Sequence, residues 1–146
     1  FAKEYLFNPL KINLYNWEMQ KQNGYPCMGG SLKLLPRDFA KIGLLVLNNG
    51  ELKKSRIISE EWIKESTSEK IKTHIDGDNY SYQWWNITLT SNNIDYKVIW
   101  ANGWGGQFLY IIPELNVVIA TTGYNYEYDS WAVSKGIQKY LYLLDN

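Results

Sequence analysis

Hydrophobic and polar positions follow a helical period in three stretches of the first half of the chain and form strand-like runs over much of 80–122 in the second. The opening FAKEYLF reads as a helix already under way, with Phe1, Tyr5 and Leu6 toward one face, as in a fragment cut from a longer chain. Asn8-Pro9 ends it, because the residue before proline is pushed out of the helical region. From Leu10 to Gly30 no period is visible, and the stretch reads as an irregular, anchored loop, long enough to suit a functional segment. Pro36 to Leu47 is predicted as a helix: proline suits the first turn, Asp38 complements the N-terminal dipole, and Phe39, Ile42, Gly43 and Val46 share a face. Leu35 stands where a capping hydroxyl is expected, a defect of about 1 kcal/mol, and Asn48-Asn49-Gly50 closes the helix with a left-handed cap. After a short polar strand or turn at Glu51 to Ile58, Ser59 reads as the N-cap of a helix to Thr67, with Trp62 and Ile63 inward.

Glu69 to Asn79 reads as a solvated loop, and the pattern then changes. Tyr80 to Thr88, Tyr96 to Ala101, Gln107 to Ile112 and Val117 to Thr122 are β-branched or aromatic runs. Ser91-Asn92-Asn93 and Pro113-Glu114-Leu115-Asn116 supply turns between them. Connections this short favour antiparallel pairing. Ser130 to Leu144 closes the chain as an amphipathic helix that offers Trp131, Val133, Ile137, Tyr140, Leu141 and Leu144 to the sheet. Helices, then an antiparallel sheet, then a covering helix predict one α+β domain over residues 1–146.

Composition narrows the function. Lysine plus arginine and aspartate plus glutamate balance at 15 each, which leaves no net field to gather nucleic acid or anionic lipid. No apolar run reaches the length of a membrane span. The single cysteine, Cys27, excludes an internal disulfide and reads as a small apolar filler. The single histidine, His74, sits among Lys70, Lys72, Asp76 and Asp78 in a surface context with no second ligand, so no metal or cofactor is predicted. Aromatic residues make up 16% of the chain, which fits either a thick aromatic core or aromatic walls for a substrate or sugar ring.

Three segments carry a resemblance: GGSLKLLPRDFAKIGLLVLNNG at 29–50, IISEEWIKEST at 57–67 and ANGWGGQFLYIIPELNVVIAT at 101–121. Their order and spacing resemble the C-terminal portion of class C β-lactamase-like serine hydrolases, nearest the esterase and amide-hydrolase, 6-aminohexanoate-dimer hydrolase-like branch. The resemblance implies a β-lactamase/transpeptidase-like fold and an acyl-enzyme mechanism, in which a serine attacks an ester, amide or peptide carbonyl while a lysine and a tyrosine move protons. It also implies a location outside the cytoplasm. The family's SxxK and YxN motifs lie upstream of the matched region, and neither occurs here, nor does GxSxG. The chain alone is therefore expected to be inactive.

The third family motif, the Lys-Thr-Gly-like strand that lines the cleft, is resembled by Ala101-Asn102-Gly103-Trp104-Gly105-Gly106-Gln107. One register puts Asn102 and Gly103 on the motif's Thr and Gly, making the Trp104 N–H the oxyanion donor; another takes Trp104, Gly105 and Gly106 as the motif and moves the donor to Gln107. Glycines let the backbone lie against a substrate. They equally suit a bulge or tight strand crossing with Trp104 as core. The family's cation is missing in either register, which favours esterase or peptidase-like chemistry over β-lactam carboxylate binding. Tyr25 to Ser31 and Trp84-Trp85 are candidate substrate contacts, although adjacent strand residues face opposite sides and only one tryptophan can reach the cleft. Asn125, Tyr126 and Tyr128 are weaker candidates. An incomplete domain also predicts dimerisation through an uncovered sheet edge or face. The alternatives are an aromatic-rich carbohydrate- or peptide-binding module, or a stable packing domain without chemistry of its own.

Overall fold

A computed structural model describes residues 1–146 apart from 28, 75–77, 127–130 and 145–146, and without the side chain of Trp131. The first helix is one wide turn, Lys3–Phe7, in which the Asn8 N–H reaches the Lys3 carbonyl at 2.9 Å. Phe1 and Tyr5 do share a face, with rings 4.9 Å apart, but that face is exposed and Phe7 is the residue that enters the core. The stretch expected as an irregular loop contains a strand, β1 (Tyr15–Trp17), paired antiparallel with β2 (Leu32–Leu34). Three-residue strands are too short to show alternation, so this pairing is invisible in the sequence. The loop is anchored as expected, since Phe7, Leu10, Ile12 and Leu45 form a buried cluster under Trp17, Leu32 and Leu34.

The first α-helix, α1 (Pro36–Leu47), has the expected bounds, and no side chain caps its Leu35 end. Asn49 and Gly50 follow with φ of 51° and 89°. A small hairpin, β3 (Glu51–Leu52) and β4 (Ser55–Arg56), leads to α2 (Glu60–Thr67). Ser59 caps α2 as expected, its Oγ accepting the Trp62 N–H at 3.1 Å. Ile63 is buried but Trp62 is not: its indole lies outside, edge-on to Tyr82 at 5.2 Å. A two-turn helix buries one narrow stripe, and Ile63 and Ser66 already fill it.

The expected Glu69 to Asn79 loop contributes an edge strand, β5 (Ile71–Lys72). The expected strand from Tyr80 to Thr88 is two strands, β6 (Asn79–Ser81) and β7 (Trp84–Ser91), joined at Tyr82 and Gln83 with φ of 44° and 76°. Two-residue hairpins of this hand usually announce themselves with Asn or Gly, and here two bulky residues conceal the turn. Asn92 and Asn93 make the same kind of turn in the open, between β7 and β8 (Ile94–Gly103). Then follow β9 (Gln107–Ile112), a 3-10 turn at Pro113–Leu115, Asn116 in the left-handed region, and β10 (Val117–Ala120). The last strand stops two residues short of the expected Thr122. The closing helix α3 (Trp131–Tyr140) continues as a 3-10 turn over Leu141–Leu144, its expected start at Ser130 lying outside the described residues.

The main sheet runs β10-β9-β8-β7-β6-β5, antiparallel throughout. Its alternation sorts two cores. On one face Trp85, Ile87, Leu89, Tyr96, Val98, Trp100, Phe108, Tyr110 and Ile112 pack under Val133, Ile137 and Leu141 of the closing helix. Tyr140 and Leu144, expected to join them, are half exposed and line a groove with Ile119, Val133 and Ile137 instead. On the other face Leu109 and Ile111 meet Val46 of α1 and Ile63 of α2, with Trp84, Ile99, Ala101 and Val118 around them. The expected α+β arrangement is thus present, with β9 buried on both sides. Gly43 sets the approach of α1, because a Cβ there would lie 2.6 Å from Val118 Cγ1. The outer edge of β10 has no strand partner among the described residues, and an apolar groove of about 500 Å³ beside it is lined by Ile119, Val133, Ile137, Tyr140 and Leu143. Among the described residues no helix is long and apolar enough to cross a membrane.

Candidate functional site

The β8–β9 connection is a three-residue turn, Trp104-Gly105-Gly106, closed by the pair Gly103 and Gln107. Gly105 and Gly106 have φ of 85° and 91°, a region that L side chains avoid, so glycine is required here by the backbone. Gly103 is required by crowding, since a Cβ would come within 2.9 Å of the Gln107 carbonyl oxygen. Trp104 is 79% exposed and so is not a core residue, which removes the reading in which it merely fills a strand crossing. Its N–H has no hydrogen-bond partner among the described residues, while its carbonyl accepts from Gln107 Nε2 at 3.2 Å.

A second strand end braces this turn. The Thr121 hydroxyl donates to the Gly106 carbonyl at 3.0 Å and accepts the Phe108 N–H at 3.1 Å. The Thr121 N–H donates to the Phe108 carbonyl at 2.8 Å, and the Asn125 N–H donates to the Gly105 carbonyl at 3.1 Å. Gly123 fits because a Cβ would sit 2.6 Å from the Gly105 oxygen. Residues 121–126 therefore run along the glycine turn and carry Tyr124 and Tyr126 to it. The Trp104 and Tyr126 rings meet edge to face at 4.8 Å, as do those of Tyr124 and Tyr126 at 4.6 Å. Neither 98–112 nor 115–126 contains a charged residue, and the first one after the second stretch is Glu127.

The other candidates divide by strand parity. Gly103 follows Ala101 and Ile99 on the α1–α2 side, where Trp84 also packs. Asn102 follows Trp100 in parity and is exposed at the end of β8. Trp85 packs among the α3-side residues, its ring against Tyr80 at 4.9 Å and Trp100 at 6.4 Å. Tyr25 sits on a separate excursion held by its carbonyl accepting the Gln20 N–H at 2.7 Å and by the Trp17 indole donating to the Cys27 carbonyl at 3.0 Å. No hydrogen bond or ring contact ties it to the glycine turn among the described residues. Tyr128 lies outside the described residues, and His74 is exposed. Among the described residues no three metal-binding side chains converge. The role of Thr121, Gly123 and Tyr124 escaped the sequence reading; the signal was a Thr-Thr-Gly run directly after an apolar strand, which only the sheet register connects to the turn fifteen residues earlier.

An antiparallel sheet with α1 and α2 on one face and the C-terminal helix on the other is the β-lactamase-like fold, and solved structures of that fold superpose on nearly the whole chain. A protein described as a 6-aminohexanoate-dimer hydrolase from Bacillus anthracis matches with a TM-score of 0.78 and 19% identity, covering 98% of this chain and 37% of that one. A protein described as a β-lactamase from Bacteroides dorei DSM 17855 matches with a TM-score of 0.67 and 15% identity, covering 99% of this chain and 50% of that one. The chain thus spans half or less of the length of these two neighbours. At such identities the likeness establishes the fold. No family model matches the sequence, and no curated protein does.

Proposed function

We propose that the chain is the C-terminal part of a β-lactamase-like serine hydrolase, and that it contributes the oxyanion donor to a site whose serine, lysine and tyrosine lie on polypeptide upstream. In this reading the serine hydroxyl gives its proton to the lysine-tyrosine pair as its oxygen adds to an ester or amide carbonyl, and the carbonyl oxygen takes the developing negative charge. Collapse expels the alcohol or amine, protonated by the lysine-tyrosine pair. Water then adds to the acyl-serine and releases the acid. The observation that carries the reading is the Trp104 N–H, left without a partner at a glycine turn whose shape is held by Thr121 and Gly103. A fixed donor of this kind is worth about 3 kcal/mol when charge develops opposite it. Trp84 shares the Gly103 side of the sheet and is the tryptophan assigned to the substrate side, whereas Trp85 belongs to the packing under the closing helix.

The absence of a lysine or arginine from 98–112 and 115–126 favours an ester, amide or peptide over a substrate held by its carboxylate. By the same reading the isolated chain is inert and the whole enzyme works outside the cytoplasm. The test is the product of the whole reading frame assayed with a p-nitrophenyl ester. Turnover is expected from a frame that carries SxxK and then YxN upstream of Phe1, with none from residues 1–146 alone. A frame with neither motif and no turnover contradicts the proposal.

A further inference from the structure

Exposed aromatic rings are costly to leave in water, and three of them converge at the glycine turn: Trp104 is 79% exposed, Tyr124 84% and Tyr126 39%. Their arrangement is built by the backbone. Gly105 has no side chain where Tyr126 lies, a Cβ there standing 2.6 Å from its ring, so the phenol lies directly against the turn. The Asn125 N–H bonded to the Gly105 carbonyl holds the following segment in register. The rings are not coplanar. Trp104 and Tyr126 are inclined at 61° and Tyr124 and Tyr126 at 77°, which makes a notch of alternating faces and edges. Extended sugar chains stack on flat, level platforms, which this is not. A notch takes one more ring in the same edge-to-face sequence, matching the positive rim of one ring to the negative face of the next. The stretches 98–112 and 115–126, which carry the three rings, contain no charged residue of their own.

We infer that Trp104, Tyr124 and Tyr126 form a binding notch for one uncharged aryl ring. In the hydrolase this ring belongs to the substrate, next to the carbonyl that the Trp104 N–H receives. That role rests on the reading above, whereas the binding itself does not. The side chain of Trp104 thereby sets substrate preference while its backbone faces the reaction.

Binding is read on residues 1–146 labelled with 15N at the seven tryptophan indoles. The probe is N-phenylbutanamide, an uncharged aryl amide, and the Trp104 signal is assigned by its loss in Trp104→Ala. A saturable shift of that signal is expected, weakened about tenfold in Tyr124→Ala and likewise in Gly105→Ala, with no shift from cellohexaose or tetramethylammonium. No shift at millimolar probe, a shift with the sugar or the cation instead, or unchanged affinity in Tyr124→Ala overturns the notch. Because this readout needs no turnover, it survives failure of the hydrolase reading. Conversely, an active whole enzyme whose preference for phenyl over methyl esters is unchanged in Trp104→Ala overturns the notch and leaves the hydrolase reading intact.

Discussion

Tyr110 shows at the level of one residue how this core admits polar groups. Its ring is fully buried on β9, and its hydroxyl is 2.6 Å from the Ser134 hydroxyl on α3, so sheet and closing helix are joined by a satisfied bond rather than by packing alone. Burial pushes the phenol above its ordinary value of 10.0, and hydrogen bonds with Ser134 and Trp100 act in the opposite direction. A folded-state value above the unfolded one means that the unfolded chain loses its proton first. The stability tied to the neutral phenol is then whole below about pH 10 and is lost as pH climbs through the folded value. Urea midpoints measured from about pH 8 to about pH 11 are expected to fall more steeply for the natural chain than for Tyr110→Phe. Parallel curves for the two would show that this phenol is not held neutral by the fold.

Among the elements, α1, α2 and β9 have the bounds expected from the sequence, and each has strong local reasons, Ser59 capping α2 as read. Proline starts α1 and Asn-Asn-Gly ends it, while β9 is a continuous apolar run between two turns. The turn at Tyr82 and Gln83 and the β1–β2 pair were not legible, because their stability comes from partners distant in sequence and their residues carry no turn or alternation signal. The glycine turn of the candidate site was legible as a peculiarity, with Asn125 and Tyr126 as weaker candidates, but the brace by Thr121 and Gly123 was not, since joining it to the turn requires the β9–β10 register. Gly43 tests how closely α1 sits on that register. Alanine gains about 1 kcal/mol of helix propensity but must displace the stiff Val118 methyl, an overpacking cost of about 1–3 kcal/mol. Gly43→Ala is expected to lower the thermal midpoint, and adding Val118→Ala to it is expected to cost less than Val118→Ala costs alone. Additive effects would place the helix farther from β10 than the structure has it.

At the scale of the whole molecule, the sheet is covered on both faces yet ends in an unpaired β10 edge beside an apolar groove, and the glycine turn stands at the end of β8 and β9. Concavities of about 390 to 500 Å³ are lined by other residues, around Asn86 and Lys97, along Thr90 to Asn92, and beside β10. In the proposed hydrolase the wall facing the turn comes from upstream polypeptide; the chain itself spans half or less of its structural neighbours' length. The most direct measurement is a crystal structure of the product of the whole reading frame with an aryl boronic acid bound to its serine. The account predicts a boronate oxygen about 2.7–3.1 Å from the Trp104 backbone nitrogen, with the aryl ring against Tyr124 and Tyr126. A boronate oxygen held by the Gln107 nitrogen, or an adduct formed away from the turn at 103–107, would contradict it.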